Sequence, residues 1–294
     1  MTDSSLESLQ RSLAYHVSAR GRSAATETHY CLALRRFWAW MEQAGIESLA
    51  DVTEAHVEHY LSDLRATGIR PATLRYQFSG LQAVYKWHSA REGYLNPMGH
   101  MTAPRVPESQ KDVVELDDLK RVVDTLMRRR RYRDAALVSG LAENGMRISE
   151  ALKLTWQDVD WRNKVVHIHD TKNGDTRRVP MTAGFAEKLD LLQGKAKPEK
   201  WEAIFCSEKG KTLTSSGAQQ MVRKAFLEAG VPGISPHDLR HTMATRFMDA
   251  NPHGHHILKA IGGWKSDSMV RRYSRKGEEA RAVEAFRQST PIQL

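Results

Sequence analysis

The stretch VVHIHDTKNGDTRRVPM, residues 165–181, decides the fold class, because here the hydrophobic period changes. Val165, Val166 and Ile168 on one side and Val179 on the other lie in short β-rich runs. Asn173-Gly174 between them is the strongest short-range hairpin signal. The surroundings read with the helical period. Upstream, residues 113–154 predict two helices broken around Arg131–Arg133, and downstream helices resume at about Ala183 and at Ser215. The spacing therefore predicts a chain that is mainly α with a small β-hairpin or sheet.

Farther upstream the pattern is helical alone. SAATETHYCLALRRFWAWMEQAG, residues 23–45, brings Tyr30, Leu34, Phe37 and Met41 to one face. Residues 53–68 open on Thr53 and stop at Gly68, with Val57, Tyr60, Leu61 and Leu64 inward. Residues 70–93 have a proline near the first turn, then Leu74, Phe78, Leu81, Val84, Tyr85 and Trp87. With residues 5–20 this makes about four helices, a helical domain over 1–95. NPMGHMTAPRVPESQKD, residues 96–112, holds three of the ten prolines and no apolar period, so it reads as a linker. Residues 113–294 form the second domain.

The net charge is +9 over 294 residues. Residues 1–105 carry 11 Lys and Arg against 10 Asp and Glu, and residues 106–294 carry 33 against 25. A basic excess concentrated in the second domain suits a polyanion, most simply nucleic acid. No run of about 18 apolar residues could cross a membrane. The polar, acidic N-terminus does not read as a secretory signal, and none is expected. Cys31 and Cys206 lie far apart in no ligand-like spacing, which points to a reducing cytoplasm.

IGGWKSDSMVRRYSR, residues 261–275, places Tyr273 among Arg271, Arg272, Arg275 and Lys276. A tyrosine there either packs against a neighbour or attacks a phosphate. Attack on a phosphodiester builds negative charge on the non-bridging oxygens, and preorganised arginine forks meet it best. The leaving sugar oxygen needs a general acid. Two segments fit these needs. In ENGMRISEALKL, Arg147 follows a glycine and Glu150 lies one helical turn on, able to hold the guanidinium. In SPHDLRHTMATRF, His237 and Arg240 share a face of a helix opened by Pro236, and His241 points about 100° around. Lys172 at the hairpin tip is either solvated or a proton donor. The run Arg128, Arg129, Arg130 and Arg131 is either a solvated helix end or a DNA-binding patch. His253, His255 and His256 lack a cysteine or paired carboxylate, so no metal site is expected.

Together these segments resemble the tyrosine recombinase, or phage-type integrase, family. GMRISE resembles its first arginine box and HDLRHTMAT its His-x-x-Arg box. GGWKSDSMVRRY resembles its last box, in which a His or Trp precedes the tyrosine by nine residues, as Trp264 precedes Tyr273. The resemblance spans both domains. It implies a helical core-binding domain followed by a mixed α+β catalytic domain. Position by position it implies Tyr273 as nucleophile, Arg147 and Arg240 as phosphate clamps, and His237 as hydrogen-bond donor or base. It further implies Trp264 as a donor and packing group, Lys172 as general acid and Glu150 as a supporting carboxylate. Two departures stand out: IGGW replaces the commoner Leu-Gly-His with one extra glycine, and Arg275 stands where a histidine is frequent.

The reaction so implied is exchange of DNA strands through a 3′-phosphotyrosyl link, with no cofactor and no metal. The partners implied are double-stranded DNA attachment sites and a homo-tetramer on DNA, with room for an accessory directionality factor. The setting is the cytoplasm, at the nucleoid. A phage or prophage integrase without an arm-binding domain is the expected role. A Xer-like chromosome-dimer resolvase and a mobile-element recombinase share the architecture. A type IB topoisomerase-like enzyme and a DNA binder without catalysis are the remaining alternatives. After Tyr273, Ala282, Val283 and Phe286 lie on one helical face, and the resemblance implies that this segment docks on the next protomer.

Overall fold

Polar caps and glycine stops divide residues 5–93 into four helices. The computed structural model describes residues 5–107, 113–169, 176–195, 202–207, 210–273, 283, 286 and 287. The chain divides into two units, Met1–Gln110 and Lys111–Leu294. In the first unit, α1 (Leu6–Ala19) starts at Ser5 and α2 (Ala24–Gln43) at Ser23, each hydroxyl accepting from a first-turn N–H. α3 (Glu54–Ala66) starts on a capping box, with Thr53 Oγ1 accepting from the His56 N–H and His56 Nδ1 from the Thr53 N–H. α4 (Pro71–Glu92) opens on a proline and ends at Gly93, with φ 77°. Their apolar faces meet in a core that buries Leu34, Phe37, Met41, Val57, Tyr60, Phe78, Leu81, Val84 and Tyr85. Met98, from the stretch after α4, is buried with them. Gln77 is buried too, and donates to the Ala33 carbonyl and the Tyr60 hydroxyl, each at 2.8 Å.

In the second unit, residues 113–154 form three helices rather than two: α5 (Leu116–Arg128), α6 (Tyr132–Ala142) and α7 (Ile148–Ala151). The extra break falls at Gly145, whose φ is 63°, and a Cβ there would overlap Met243. The earlier break sits two residues before the expected place, with Arg130 in left-handed backbone at φ 57°. The sheet has three antiparallel strands, β1 (Val159–Asp160), β2 (Val165–His169) and β3 (Thr176–Pro180), in that order. β1 is too short to show a period of its own. Val166 lies opposite Val179 and His169 opposite Thr176. The tip between β2 and β3, with Lys172, lies outside the described residues.

α8 (Ala183–Lys195), α9 (Ser215–Glu228), α10 (Pro236–Ala250), α11 (His255–Gly262) and α12 (Asp267–Arg271) follow. The sheet and helices close over a core that includes Leu137, Val166, Ile168, Phe185, Phe205, Phe226 and Leu239. α10 starts on Pro236 and a Ser235–Asp238 capping box. It is fastened to the chain entering the unit: the Val114 N–H donates to Thr242 Oγ1 at 2.9 Å and Arg246 to the Val114 carbonyl at 3.1 Å. A separate cluster of Ala244, Met248, Leu258, Trp264, Val270 and Tyr273 joins α10, α11 and α12. Among the described residues, no helix is long and apolar enough to cross a membrane.

Candidate active site

The last turn of α11 leaves carbonyls that its own backbone does not satisfy, and they carry partial negative charge. Three in succession are taken by three different arginines. Arg177 Nε donates to Ile261 O at 2.8 Å, Arg240 to Gly262 O at 2.7 Å and Arg147 to Gly263 O at 2.8 Å. One helix end thus gathers a side chain from β3, one from α10 and one from the turn before α7. Arg240 also donates to Gly145 O at 2.6 Å, which ties it to the Gly145 turn.

Glu150 is the carboxylate among these guanidinium groups. Its Oε1 accepts from Arg147 at 2.6 Å and Arg177 at 3.0 Å, and its Oε2 from the Arg147 N–H at 2.8 Å and Arg177 at 2.7 Å. Burial works to raise the Glu150 carboxyl, but the hydrogen bonds from Arg177 and from the Arg147 backbone outweigh it and hold it below the ordinary carboxylate range. Arg240 is 3% exposed. Burial, and next the charge of Arg147, pull its pKa down to about 10. The pocket therefore carries more positive charge than Glu150 neutralises, and an anion placed there would relieve the imbalance.

Tyr273 and Trp264 are 4% and 7% exposed. Their rings lie 5.4 Å apart, and the Arg240 guanidinium sits over the indole at 4.0 Å. The extra glycine in IGGW has a steric cause. A Cβ on Gly262 would overlap the Trp264 ring, while Gly263 takes φ 65° and faces the Arg177 guanidinium. The structure thus joins Arg147, Glu150, Arg240, Trp264 and Tyr273 into one network. His237 stands exposed on the first turn of α10.

Two participants were not foreseen. His241 packs edge-on against Tyr273, with ring centroids 5.3 Å apart. Arg177 sits on the buried face of β3. The available signal was strand parity: Arg177 shares a face with buried Val179, so a charge points inward where an apolar residue is the rule. Elsewhere, Arg129 and Arg131 pair with Glu228 at 2.7 and 2.8 Å, and Arg131 also with Asp134 at 2.9 Å. Arg128 donates to the Asp124 carbonyl and to Thr125. Among the described residues, no group of three or more His, Cys, Asp or Glu side chains comes together to hold a metal.

The pattern of the phage integrase family matches residues 112–279, and that of the phage integrase N-terminal SAM-like domain matches residues 9–93. Tyrosine recombinase XerD of Corynebacterium glutamicum is 27% identical over 260 residues, covering 83% of this chain and 85% of that protein. Tyrosine recombinase XerC 2 of Ralstonia nicotianae is 29% identical over 246 residues, covering 78% and 71%. Among solved structures, XerH site-specific recombinase bound to palindromic difH substrate aligns with a TM-score of 0.74 at 20% identity, over 95% of this chain and 84% of that one. A lambda integrase dimer bound to a COC' core site aligns at 0.71 and 17%, over 92% and 77%.

Proposed function

The chain belongs to the phage integrase family of site-specific tyrosine recombinases, and from that premise we propose that Tyr273 is the nucleophile and the arginine pocket beside it the phosphate clamp. The observation that carries this reading is the excess of guanidinium charge around Glu150, within one network with Tyr273. The Tyr273 oxygen attacks a DNA backbone phosphorus and gives up its proton, with His237 as the acceptor or hydrogen-bond partner. Arg147 and Arg240 meet the charge that grows on the non-bridging oxygens. Arg240 places two of its five N–H donors on backbone carbonyls, which aims the rest of its fork. Trp264 holds that fork flat and packs on Tyr273. Lys172 protonates the departing 5′-oxygen. The product is a 3′-phosphotyrosyl link and a free 5′-hydroxyl, and a 5′-hydroxyl of a partner duplex reverses the step. The covalent link keeps the phosphodiester energy, so the reaction needs no nucleotide cofactor.

The substrate in this reading is a pair of double-stranded DNA sites, bound with strong salt dependence by the basic second unit. Arg128–Arg131 contribute to that surface. The active assembly is a homo-tetramer on DNA, with an accessory factor setting direction where one is used, and it works in the cytoplasm at the nucleoid. The IGGW form favours integration of phage or prophage DNA. The naming of the relatives above as XerC and XerD proteins favours a Xer-type role on the chromosome or a mobile element. Trapping the protein–DNA adduct in cells and sequencing the attached DNA tests both levels. A covalent adduct at one sequence, absent with Tyr273→Phe, is the expected result, and an adduct that persists in Tyr273→Phe overturns the assignment.

A further inference from the structure

We infer that Arg177 is a positioning residue for strand cleavage, holding Glu150 so that Arg147 is left aimed at the phosphate; this rests on the function proposed above. Arg177 lies on β3 with its side chain 16% exposed. It makes three hydrogen bonds: two reach Glu150, at 3.0 and 2.7 Å, and the third reaches Ile261 O at 2.8 Å. A single side chain therefore ties the hairpin strand, the first arginine turn and the end of α11. Glu150 in turn holds Arg147 at two points, its backbone N–H and one guanidinium nitrogen.

The sharing of Glu150 is the decisive feature. Each of its oxygens accepts once from Arg147 and once from Arg177. With one bond from Arg177 already on each oxygen, and the Arg147 N–H on Oε2, the carboxylate takes the Arg147 guanidinium through one nitrogen and not in a two-bond fork. The second terminal nitrogen of Arg147 goes to Gly263 O instead, and the Arg147 side chain remains 36% exposed. Without Arg177 each carboxylate oxygen keeps one bond from Arg147 and loses its second partner, so a bidentate Arg147–Glu150 guanidinium pair becomes available. That pair would turn the clamp towards protein rather than phosphate. A second effect runs through Ile261 and Gly263. Arg177 fills the space a Cβ on Gly263 would enter and anchors the carbonyl two residues before it, so it also fixes the approach to Trp264. A buried ion pair of this kind is weak as a stabiliser, since apolar replacements are frequently neutral or better. Its place here is explained by orientation.

The test compares Arg177→Ala, Arg177→Lys and Arg147→Ala in the full chain, on half-site DNA of the sequence recovered from trapped adducts. Binding, thermal unfolding and the first-order cleavage rate of the preformed complex are measured. Two duplexes are used, one with the ordinary phosphodiester and one with a methylphosphonate at the scissile position. The methylphosphonate lacks one anionic oxygen and depends less on the clamp. Arg177→Ala is expected to bind like the parent and to cleave the phosphodiester roughly 10- to 100-fold more slowly, as for an ångström-scale misplacement. It should recover on the methylphosphonate together with Arg147→Ala, with Arg177→Lys in between. Parental cleavage by either Arg177 variant overturns the inference. So does an equal loss on both duplexes while Arg147→Ala recovers. If Arg177→Ala melts below the assay temperature, Arg177→Lys is judged by the same criteria. Parental cleavage by Arg147→Ala would overturn the underlying assignment of the site itself.

Discussion

Gly262→Ala adds one methyl group at the point where the site is tightest. The backbone at Gly262 is helical, so an alanine meets no φ penalty there. Its Cβ, however, would fall within the six-membered ring of Trp264. Forcing a methyl into a packed cluster costs about 1–3 kcal/mol. Replacing glycine at a helix end returns at most about 1 kcal/mol. A net loss of about 1–2 kcal/mol should lower the melting temperature of the second unit by about 2–8 °C. Cleavage should suffer as well, because the displaced indole no longer covers Arg240 at 4.0 Å. A desolvated cation–π contact is worth up to about 2 kcal/mol, and its complete loss in the transition state is roughly 30-fold in rate. The assay is thermal unfolding and single-turnover cleavage of Gly262→Ala in the parental and Trp264→Ala backgrounds. In Trp264→Ala the new methyl enters vacated space and should cost nothing. Equal penalties in the two backgrounds would refute the steric argument.

Lys172→Ala should cleave ordinary DNA slowly yet recover much of its rate on a substrate with a 5′-bridging sulfur, which leaves without a proton; equal slowness on both would make Lys172 a phosphate contact instead. The Glu150 carboxyl is held low in the fold, so its charged form stabilises above the ordinary value of 4.5 and that stability is lost as pH falls through the lower folded value. Unfolding of Glu150→Gln against pH should therefore show a deficit at neutral pH that shrinks below pH 4.5, and a deficit independent of pH would count against the charge. Deleting residues 279–294 should spare folding and half-site binding but abolish synapsis on native gels. Early melting, or recombination at the parental rate, would show that the segment is not an inter-protomer dock.

The order of elements was legible because local rules govern it. Thr53, Pro71, Gly93 and Pro236 mark helix ends through caps and restricted backbone angles that need no distant partner. The Asn-Gly step marks the hairpin in the same way. β1 and the break at Gly145 were not legible. A two-residue strand exists only by pairing with β2, and the Gly145 turn packs against Met243, about a hundred residues away, leaving no room for a Cβ.

The site divides along the same line. Spacing brought out Arg147 with Glu150 and His237 with Arg240, and the family resemblance brought out Trp264 nine residues before Tyr273; each pair lies within one short segment. Which arginine takes which carbonyl of α11, why two glycines precede Trp264, and that His241 faces Tyr273 depend on β3, α7, α10 and α11 meeting. Arg177 shows the difference most plainly. In the sequence it is one of two adjacent arginines on a strand. Burial decides between them, because the inward charge must find acceptors from distant segments, whereas exposed Arg178 can be met by water.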